Sequence, residues 1–544
     1  MSAGDTLRAR WSGAWLAALA AAVVFGLVVG AAPLLLGPPN GDDAYYHAMR
    51  AQQHARCWRA GVLFPRWYPD LNAGLGGPEP RAYPIVPLAV HAALALAAND
   101  AVWAISAATA AIPPLAGLLM LMAARRRGAS PGPALVAAVA WAGAPYLVVA
   151  LHERAALAEA WGLALLPWVL DSLLPPPAGD RRWLVRGGVA YAVLAACQLP
   201  LALMVGLLVA AWYVAGRRGE VLRALAAGTL GLALSAVSWL PNVVALSRLQ
   251  GEGLTSGAYR WDAHLLPGGL AGDPTLGRHL TAVLAAVAVA LLIQLAVGGR
   301  EARAWSAMGL ACVLLATPLA AFLYRLVPGL GYLQFPWRWL GLASFLAAFS
   351  FVKIGRRLPR AAAVVVLLAP LVMPVAGRWR LPAGAALRPT DPPAVAAAAA
   401  ARYGVPPILP SLPAYLPRGV NLAEALTSAP AIRARLGAAD PAGPSDWRWT
   451  VEQSEGDVVS VPLLAGPGWE ALVDGRPAGW QGRSGLVTVP VGAGHHTVEL
   501  RQLFLPEDVL GAAVSVLALL GALILVRAGG GVLRRPAEQV TAEP

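Results

Sequence analysis

The stretch Gly41-Asp42-Asp43-Ala44-Tyr45-Tyr46-His47 follows directly on an apolar run from Trp15 to Leu36. The run is uncharged and is longer than the ~20 residues that a transmembrane helix needs, so we predict a membrane span that is not cleaved as a signal peptide. Two adjacent carboxylates at the mouth of a membrane helix are costly to place there. We therefore expect the acidic pair to have a function.

The composition places the whole chain in the membrane class. Of its 544 residues, 58% are hydrophobic and 13% are charged, and the mean hydropathy is +0.59. Soluble domains carry about 25% charged residues. Because the deficit extends along the chain, we predict a polytopic α-helical membrane protein.

The net charge of +13 does not indicate nucleic-acid binding. Most arginines stand between apolar runs, where membrane topology accounts for many of them, and no nucleic-acid-binding motif occurs. The three cysteines are scattered, with no disulfide framework and no CxxC metal pattern. Membrane lipid is the partner that the composition implies, and we expect no nucleic-acid partner.

The distribution of basic residues predicts the topology. Arg8 and Arg10 precede the first span, so the N-terminus is expected in the cytoplasm and Asp42 and Asp43 outside it. Alternation of apolar runs and basic flanks then gives about twelve spans with both termini cytoplasmic. The apolar segment from Pro84 to Ala98 is too short to cross, and we predict a re-entrant or juxtamembrane helix there.

The spacing of polar segments predicts four parts in the chain. Residues 378–507 are rich in Gly and Pro and polar, and from Trp447 onward several segments alternate apolar and polar side chains, which is typical of a small antiparallel β domain. Within them, Val473-Asp474-Gly475-Arg476 predicts a hairpin turn. The parts are a transmembrane domain at 1–377 with its first outer loop at 37–83, the extracytoplasmic β-rich domain at 378–507, a final transmembrane helix at 508–528 and a cytoplasmic tail at 529–544.

Asp42 and Asp43 are the candidate catalytic carboxylates. An aspartate activates an acceptor hydroxyl as a general base; the alternative is that the pair only caps the helix that starts at Ala44. Asp43 and His47 stand four residues apart and form a possible metal pair. The alternative is a surface histidine beside an aspartate, because two adjacent aspartates are not the spaced ligand set of a defined metal site.

Other candidate residues fall near the ends of later apolar runs. Glu153 and Arg154 precede a run in which Glu159 is an isolated carboxylate, and this residue is either catalytic or a structural partner of Arg154. Arg338 opens another apolar helix. A bidentate arginine suits a phosphate, whereas the alternative is an arginine that reaches the interface from an aromatic belt.

Several motifs resemble one family in their order along the chain. They are Gly41-Asp42-Asp43, Phe64-Pro65-Arg66-Trp67, Ala82-Tyr83-Pro84-Ile85-Val86-Pro87, Arg154 with Glu159 and Pro167, Gln334-Phe335-Pro336-Trp337-Arg338-Trp339, Tyr415-Leu416-Pro417-Arg418, Gly466-Pro467-Gly468-Trp469 with Val473-Asp474-Gly475, and Gly494-His495. Together they resemble the YfhO-like, or 6-pyruvoyl-tetrahydropterin synthase-related, bacterial membrane proteins of the GT-C glycosyltransferase superfamily.

The resemblance implies a GT-C fold in the cytoplasmic (inner) membrane, with a polyprenyl-phosphate sugar as donor and an acceptor outside the cytoplasm. It implies that Asp43 or Asp42 is the base, that Arg338 and Arg66 hold the lipid phosphate, and that Glu159 supports the site. The substrate-binding set that we expect is Arg66, Glu153, Arg154, Arg338, Tyr45 and His47. Adjacent aspartates depart from a spaced acidic motif, so dependence on a divalent cation such as Mg or Mn stays open.

Two other hypotheses compete with a glycosyltransferase. One is a transporter or flippase of lipid-linked glycans. Such a protein should have charged residues at the membrane midplane and repeated halves with broken helices. The other is a non-catalytic envelope-assembly protein in which Trp469 and Trp480 of the β domain stack on a glycan, unless these tryptophans belong to the domain core. Convergence of Asp42, Asp43, Glu153, Glu159 and Arg338 in one cavity would favour the enzyme.

Overall fold

The structure is a computed structural model that describes residues 11–38, 43–174, 181–216, 218–268, 273–327, 329–354, 413–437, 440–443 and 446–530. The helices of the first half are α1 (Gly13–Gly30), α2 (Ala32–Leu36), α3 (Ala44–Arg59), α4 (Leu71–Gly74), α5 (Ile85–Ala98), α6 (Ala101–Arg126), α7 (Pro131–Ala142), α8 (Pro145–His152) and α9 (Leu157–Leu173). Those that follow are α10 (Arg181–Cys197), α11 (Leu199–Gly216), α12 (Val221–Leu234), α13 (Ala236–Ala245), α14 (Pro274–Val297), α15 (Arg300–Leu315), α16 (Ala321–Leu326), α17 (Trp339–Ile354), α18 (Leu422–Leu436) and α19 (Pro506–Gly530).

Six helical segments of the described residues are long and apolar enough to cross a membrane, or eight if each of two bent pairs is one span. The six are Gly13–Leu36, Ala101–Arg126, Pro131–His152, Leu199–Gly216, Pro274–Val297 and Pro506–Arg527. The predicted total of about twelve is not confirmed by this part of the chain. One predicted span, at residues 361–376, lies outside the described residues.

Two apolar runs, each counted as one span among the expected twelve, are broken helices in the structure. The run from Leu225 to Leu246 bends by 73° between α12 and α13, where the Ser235 hydroxyl donates to the carbonyl of Gly231 at 2.9 Å. The run from Ala304 to Leu323 bends by 85° after α15, next to Pro318, which has no N–H for a continuing helix. A predicted break near Pro200 lies at Gln198, between α10 and α11.

Small residues allow the first helix to pack closely on α6. A Cβ atom at Gly26 would lie 2.4 Å from Pro114 Cα, and one at Gly30 would lie 2.5 Å from the carbonyl oxygen of Ala110. Glycine at these two positions therefore lets the backbones approach, as is common between membrane helices. The contact holds the end of α1, which leads into the first polar segment (defined here as residues 43–83), against the helical core.

The C-terminal region contains two antiparallel sheets. Its strands are β1 (Asp440–Gly443), β2 (Asp446–Gln453), β3 (Asp457–Leu464), β4 (Trp469–Val473), β5 (Arg476–Ala478), β6 (Gln481–Arg483), β7 (Leu486–Val491) and β8 (Gly494–Gln502). Five strands run in the order β1-β2-β8-β4-β5 and three in the order β3-β7-β6. The predicted β-rich region is thus confirmed, whereas its start at residue 378 lies outside the described residues.

The predicted hairpin turn is also confirmed. Val473 pairs with Arg476 across β4 and β5, and Asp474 and Gly475 both have positive φ, at 51° and 76°. These are the backbone angles that a two-residue Asp-Gly turn requires.

The first polar segment is joined to the β region through a shared core. Trp67 is buried and contacts Trp469 edge-on, with ring centroids 4.8 Å apart. The amide of Leu464 in β3 donates to the carbonyl of Leu75 at 2.9 Å. Buried Trp469 donates its indole N–H to Leu464 and accepts at its carbonyl from the indole of Trp480. These bonds favour a core role over glycan stacking for both tryptophans.

Candidate functional site

Glu159 is the centre of a buried polar cluster at the start of α9. It is 3% exposed, and both of its carboxylate oxygens are bonded. Oε1 accepts from the Tyr146 hydroxyl at 2.5 Å, while Oε2 accepts from Arg154 Nη1 at 3.0 Å and Arg338 Nε at 3.3 Å. An isolated carboxylate in an apolar helix thus has three partners from three segments of the chain.

The local backbone explains how Arg154 reaches Glu159. Ala155 adopts a positive φ of 51°, which turns the chain sharply between α8 and α9 and places Arg154 beside the first turn of α9. Arg338 approaches from the 3₁₀ turn Pro336–Arg338, where its Nη1 also donates to the Leu333 carbonyl at 2.8 Å. Arg154, Glu159 and Arg338 therefore meet in one cluster, and the pairing of Glu159 with Arg154 is the contact that the structural alternative required.

Charge in this cluster does not balance locally. Two guanidinium groups share the single carboxylate of Glu159, and both lie near the Phe335 ring, at 5.7 Å for Arg154 and 4.8 Å for Arg338. Within this trio the two guanidinium charges exceed the single carboxylate charge, and the Asp43 carboxylate is a second negative charge that acts on Arg154. Arrangements of this kind attract and orient an anion such as a phosphate.

Asp43 lies next to this cluster. Its backbone N–H donates to the carbonyl of Arg154 at 3.2 Å. Burial opposes the charge of Arg154, but the carboxylates of Glu159 and Asp43 raise the pKa of that guanidinium above its usual range. Asp43 occupies the N-cap position of α3 without a capping hydrogen bond from its side chain. The structural alternative, in which the Asp43 side chain caps α3, is therefore not observed.

Asp42, the other candidate base, lies outside the described residues. Tyr45 is buried and packs edge-on against Tyr46, with ring centroids 5.5 Å apart. Both predictions, a base role for Asp42 and substrate binding for Tyr45, stay predictions.

His47 is buried beneath the start of α9. Its Nε2 accepts the backbone N–H of Leu157 at 3.3 Å, and burial, followed by the charges of His91 and Arg50, lowers the pKa of the ring well below its usual value. Because Nε2 accepts a hydrogen bond, a neutral His47 ring carries its proton on Nδ1 and has no lone pair left for a metal shared with Asp43. The described residues contain no group of three or more His, Cys, Asp or Glu suited to a metal ion.

A second buried ion pair, which the sequence did not reveal, flanks Asp43 on the other side. Arg50 Nε donates to Glu79 Oε2 at 3.0 Å, and the two side chains are 3% and 0% exposed. Burial opposes the charge of Arg50, but Glu79, two tyrosines and Asp43 raise its pKa above the usual range. Asp43 therefore lies within electrostatic reach of two arginines. A sequence signal for this pair was absent, since Arg50 is one of five arginines in the first polar segment before residue 82.

Two predicted site residues have other partners. Arg66 Nε lies 3.1 Å from Asp508 Oδ1 at the start of α19, and its guanidinium is 5.7 Å from the Phe504 ring. Glu153 forms an ion pair with His279 of α14. A small cavity lies beside Arg66 and is lined by His54, Phe64, Tyr83 and Val237 among others, so this cavity is not the Glu159 cluster.

Comparisons with known proteins align the chain with solved structures, among them the following two. No protein-family model and no curated protein matches the chain. A cryo-EM structure of the arabinofuranosyltransferase AftD from Mycobacteria aligns with a TM-score of 0.45 at 18% identity, over 88% of this chain and 40% of that chain. A crystal structure of ArnT from Cupriavidus metallidurans bound to undecaprenyl phosphate aligns with a TM-score of 0.33 at 16% identity, over 65% of this chain and 78% of that chain.

The chain spans less than half the length of AftD. At these scores and identities, the likeness does not extend to the activities or substrates of the two proteins. The YfhO-like part of the resemblance is not confirmed and stays a prediction.

Proposed function

We propose that the chain is a membrane glycosyltransferase that moves a sugar from a polyprenyl-phosphate donor to an acceptor outside the cytoplasm, such as a cell-envelope glycan, lipid or protein. The observation that carries the proposal is the meeting of Asp43 with the Arg154–Glu159–Arg338 cluster. Residues from three distant parts of the chain contribute a carboxylate and a surplus positive charge to one place.

The two arginines of the cluster have the properties of a phosphate-binding group. Glu159 holds Arg154 Nη1 and Arg338 Nε, which fixes both guanidinium planes. Since this one carboxylate neutralises only one of them, the remaining charge is available to the donor phosphate. In the transfer step, that charge stabilises the polyprenyl phosphate as it departs.

Asp43 is the general base in this proposal. The acceptor hydroxyl oxygen forms a bond to the anomeric carbon of the sugar as the bond from that carbon to the phosphate oxygen breaks. The leaving polyprenyl phosphate takes the bonding electron pair, and Asp43 takes the hydroxyl proton. Asp42 is an equal candidate for this role. Glu159 does not touch the reacting atoms here and acts by positioning Arg154 and Arg338.

The same proposal fixes the expected membrane arrangement. The site faces outward from the cytoplasmic membrane, both termini are cytoplasmic, residues 1–377 carry the catalytic helices, and residues 378–507 form the extracytoplasmic β-rich domain before the final helix at 508–528. Accessibility of single cysteines introduced at Ser2 and Glu543 to a membrane-impermeant thiol reagent tests the placement of the termini. Labelling of either one in intact cells would overturn it.

The test is transfer of a labelled sugar from polyprenyl-phosphate donors in proteoliposomes, with wild type, Asp43→Asn and Asp42→Asn compared. General-base catalysis contributes about 10²–10⁴-fold to a rate, so we expect a loss of that size in one variant with donor binding unchanged. Movement of labelled lipid across the bilayer without transfer would instead support the flippase hypothesis.

A further inference from the structure

The buried Arg50–Glu79 pair is incomplete in its hydrogen bonding. Arg50 uses Nε and Glu79 uses Oε2 for their mutual bond. Arg50 Nη2 and Glu79 Oε1 are both covered from solvent, and neither has a hydrogen-bond partner within the part of the chain that the structure describes. A buried donor and a buried acceptor of one ion pair therefore lack partners among the described residues, which is costly for buried polar groups and calls for an explanation.

Tyrosine rings surround this pair. The guanidinium of Arg50 lies 4.1 Å from the ring centroid of Tyr83, 5.5 Å from that of Tyr46 and 5.7 Å from that of Tyr415. All three rings are partly exposed. Tyr259, from the polar segment before α14, interacts electrostatically with Tyr46 and Tyr415. Three tyrosine rings thus surround Arg50, and Tyr259 lies near two of them.

The charge of this pair distinguishes it from the Glu159 cluster. Arg50 is matched by one carboxylate, whereas Arg154 and Arg338 share one. A phosphate is therefore favoured at the Glu159 cluster and is repelled by Glu79 at the pair. A sugar suits the pair better, because each hydroxyl both donates and accepts and the C–H faces of the ring pack on aromatic side chains.

We propose that Arg50 and Glu79, beneath Tyr46, Tyr83 and Tyr415, form the sugar-recognition subsite of this protein, with Arg50 Nη2 donating to one hydroxyl and Glu79 Oε1 accepting from its neighbour. The subsite rests on the proposed glycosyltransferase function and names the place of the sugar within it. The backbone N–H of Asp43 donates to the carbonyl of Arg154, and its carboxylate acts electrostatically on Arg50 as well, so we expect Asp43 to lie near both the sugar and the phosphate.

Entry of a sugar requires one ring to move, since the two unpartnered atoms are covered. Tyr415 is the ring carried by a different part of the chain, in the 3₁₀ turn Pro413–Tyr415. The residues after this turn form backbone hydrogen bonds with residues 248–250. The amide of Gln250 donates to the carbonyl of Leu416, and the amide of Arg418 donates to the carbonyl of Arg248. Tyr415 therefore lies near Arg50 on a segment that is held by residues 248–250, and we expect this ring to move when a sugar enters.

Binding measurements test the subsite independently of transfer. The probes are a polyprenyl-phosphate pentose, a polyprenyl-phosphate hexose and sugar-free polyprenyl phosphate, with soluble oligosaccharides as acceptor probes. We expect Glu79→Gln and Arg50→Lys to weaken binding of the preferred sugar-bearing lipid about ten-fold or more, which is typical of a lost hydrogen bond to a buried charged group. Affinity for the sugar-free lipid should stay within about two-fold.

Asp171→Asn is the matched control, because Asp171 is a buried carboxylate that pairs with Arg126 and Arg127 elsewhere. Tyr415→Ala removes a ring that covers the pair and should raise the association rate of the sugar-bearing lipid. If the oligosaccharide KM rises in Glu79→Gln while donor affinity does not, the subsite holds the acceptor sugar, and the proposal stands with that assignment.

Two results would overturn the subsite. Equal weakening of sugar-bearing and sugar-free lipid would make the pair a phosphate site, and unchanged binding and KM in folded variants would make it a structural pair completed by water. The proposed function fails differently, when wild type transfers no sugar although it binds the sugar-bearing lipid more tightly than the sugar-free one.

Discussion

Two buried clusters of arginines and carboxylates differ in what surrounds them. The site cluster comprises Arg154–Glu159–Arg338, the neighbouring Asp43 and the Arg50–Glu79 pair, with tyrosine rings around Arg50. The second cluster, which we call the clamp, sets Arg66, Arg81 and Arg248 against Glu507 and Asp508 at the start of α19.

The clamp residues form hydrogen bonds and ion pairs with other groups of the protein. Arg81 Nη1 donates to Asp508 Oδ2 at 2.6 Å, and Arg81 Nη2 donates to Gln502 Oε1 and the Leu503 carbonyl at 3.0 and 2.9 Å. The backbone N–H of Leu505 also donates to Asp508. These bonds tie the first polar segment to the entrance of the last helix.

Arginines and carboxylates thus have different roles in the two clusters. Clamp residues bond to backbone and amide groups of the last strand and helix, which indicates a structural role. Buried atoms without a hydrogen-bond partner among the described residues occur in both clusters, at Arg50 and Glu79 and also at Arg66, Arg81 and Asp508. The site differs in the two guanidinium groups that share Glu159 and in the tyrosine ring that lies over Arg50, which we interpret as a role toward a ligand. Variants in and outside the two clusters test this distinction.

The largest expected effect is that of Glu159→Gln. Removal of this carboxylate leaves Arg154 and Arg338 uncompensated in a buried site, which costs about 3–5 kcal/mol of stability. It also releases both guanidiniums, so we expect transfer to fall at least about 100-fold. Thermal unfolding in detergent and transfer in proteoliposomes measure the two effects. Retention of full transfer by a destabilised variant would show that Glu159 does not position the arginines for catalysis.

Asp508→Asn breaks the clamp instead. Arg81 loses a buried partner, so stability should fall by about 3 kcal/mol or more, while transfer per folded molecule stays within about three-fold. Melting temperature and transfer normalised to folded protein are the measurements. A loss of transfer as large as that in Glu159→Gln would place the clamp within the active site and erase the distinction.

Arg66→Gln tests the same distinction. The family resemblance implies that Arg66 binds the lipid phosphate, whereas in the structure the Arg66 guanidinium lies against Asp508. If Arg66 belongs to the clamp, affinity for polyprenyl phosphate should change less than about two-fold, and Arg338→Gln should weaken it about ten-fold. Equilibrium binding to labelled lipid decides between them. The reverse order of effects would return the phosphate to Arg66.

The smallest effect concerns an exposed pair in the β region. His496 Nδ1 bonds to Asp474 Oδ2 at 2.7 Å. Its bond to Asp474 raises the pKa of His496, while the Thr497 backbone N–H and then His496 lower the pKa of Asp474. The histidine contribution is lost as pH rises above about 6.5 and the aspartate contribution as pH falls below about 4.

Replacement His496→Gln should therefore lower the melting temperature slightly at pH 5 and less at pH 8. Thermal unfolding at both pH values measures the difference, with His495→Gln as the neighbouring control. An equal shift at the two pH values would show that the charge of His496 does not contribute.

Local patterns predicted the parts of the fold that short segments determine. The Asp474-Gly475 turn and the strands beside it follow from alternation and from two residues that tolerate positive φ. The pairing of Arg154 with Glu159 also follows from proximity, since five positions separate them. The break at Pro318 had a local signal in that proline.

Contacts between distant segments were not available from the sequence. Arg50 and Glu79 are 29 positions apart, and no pattern marks which of several arginines meets that carboxylate. Arg66 and Asp508 meet only because the last helix returns to the first polar segment. A motif therefore identified Arg66 as important, while its partner depended on tertiary packing.

The most direct measurement is a cryo-EM structure of the Asp43→Asn variant with a polyprenyl-phosphate sugar bound. We expect phosphate density within hydrogen-bonding distance of Arg154 and Arg338 and sugar density against Arg50 and Glu79. The substituted side chain at position 43 should lie near both. Phosphate density at Arg66 and Asp508, with no ligand near Glu159, would contradict it.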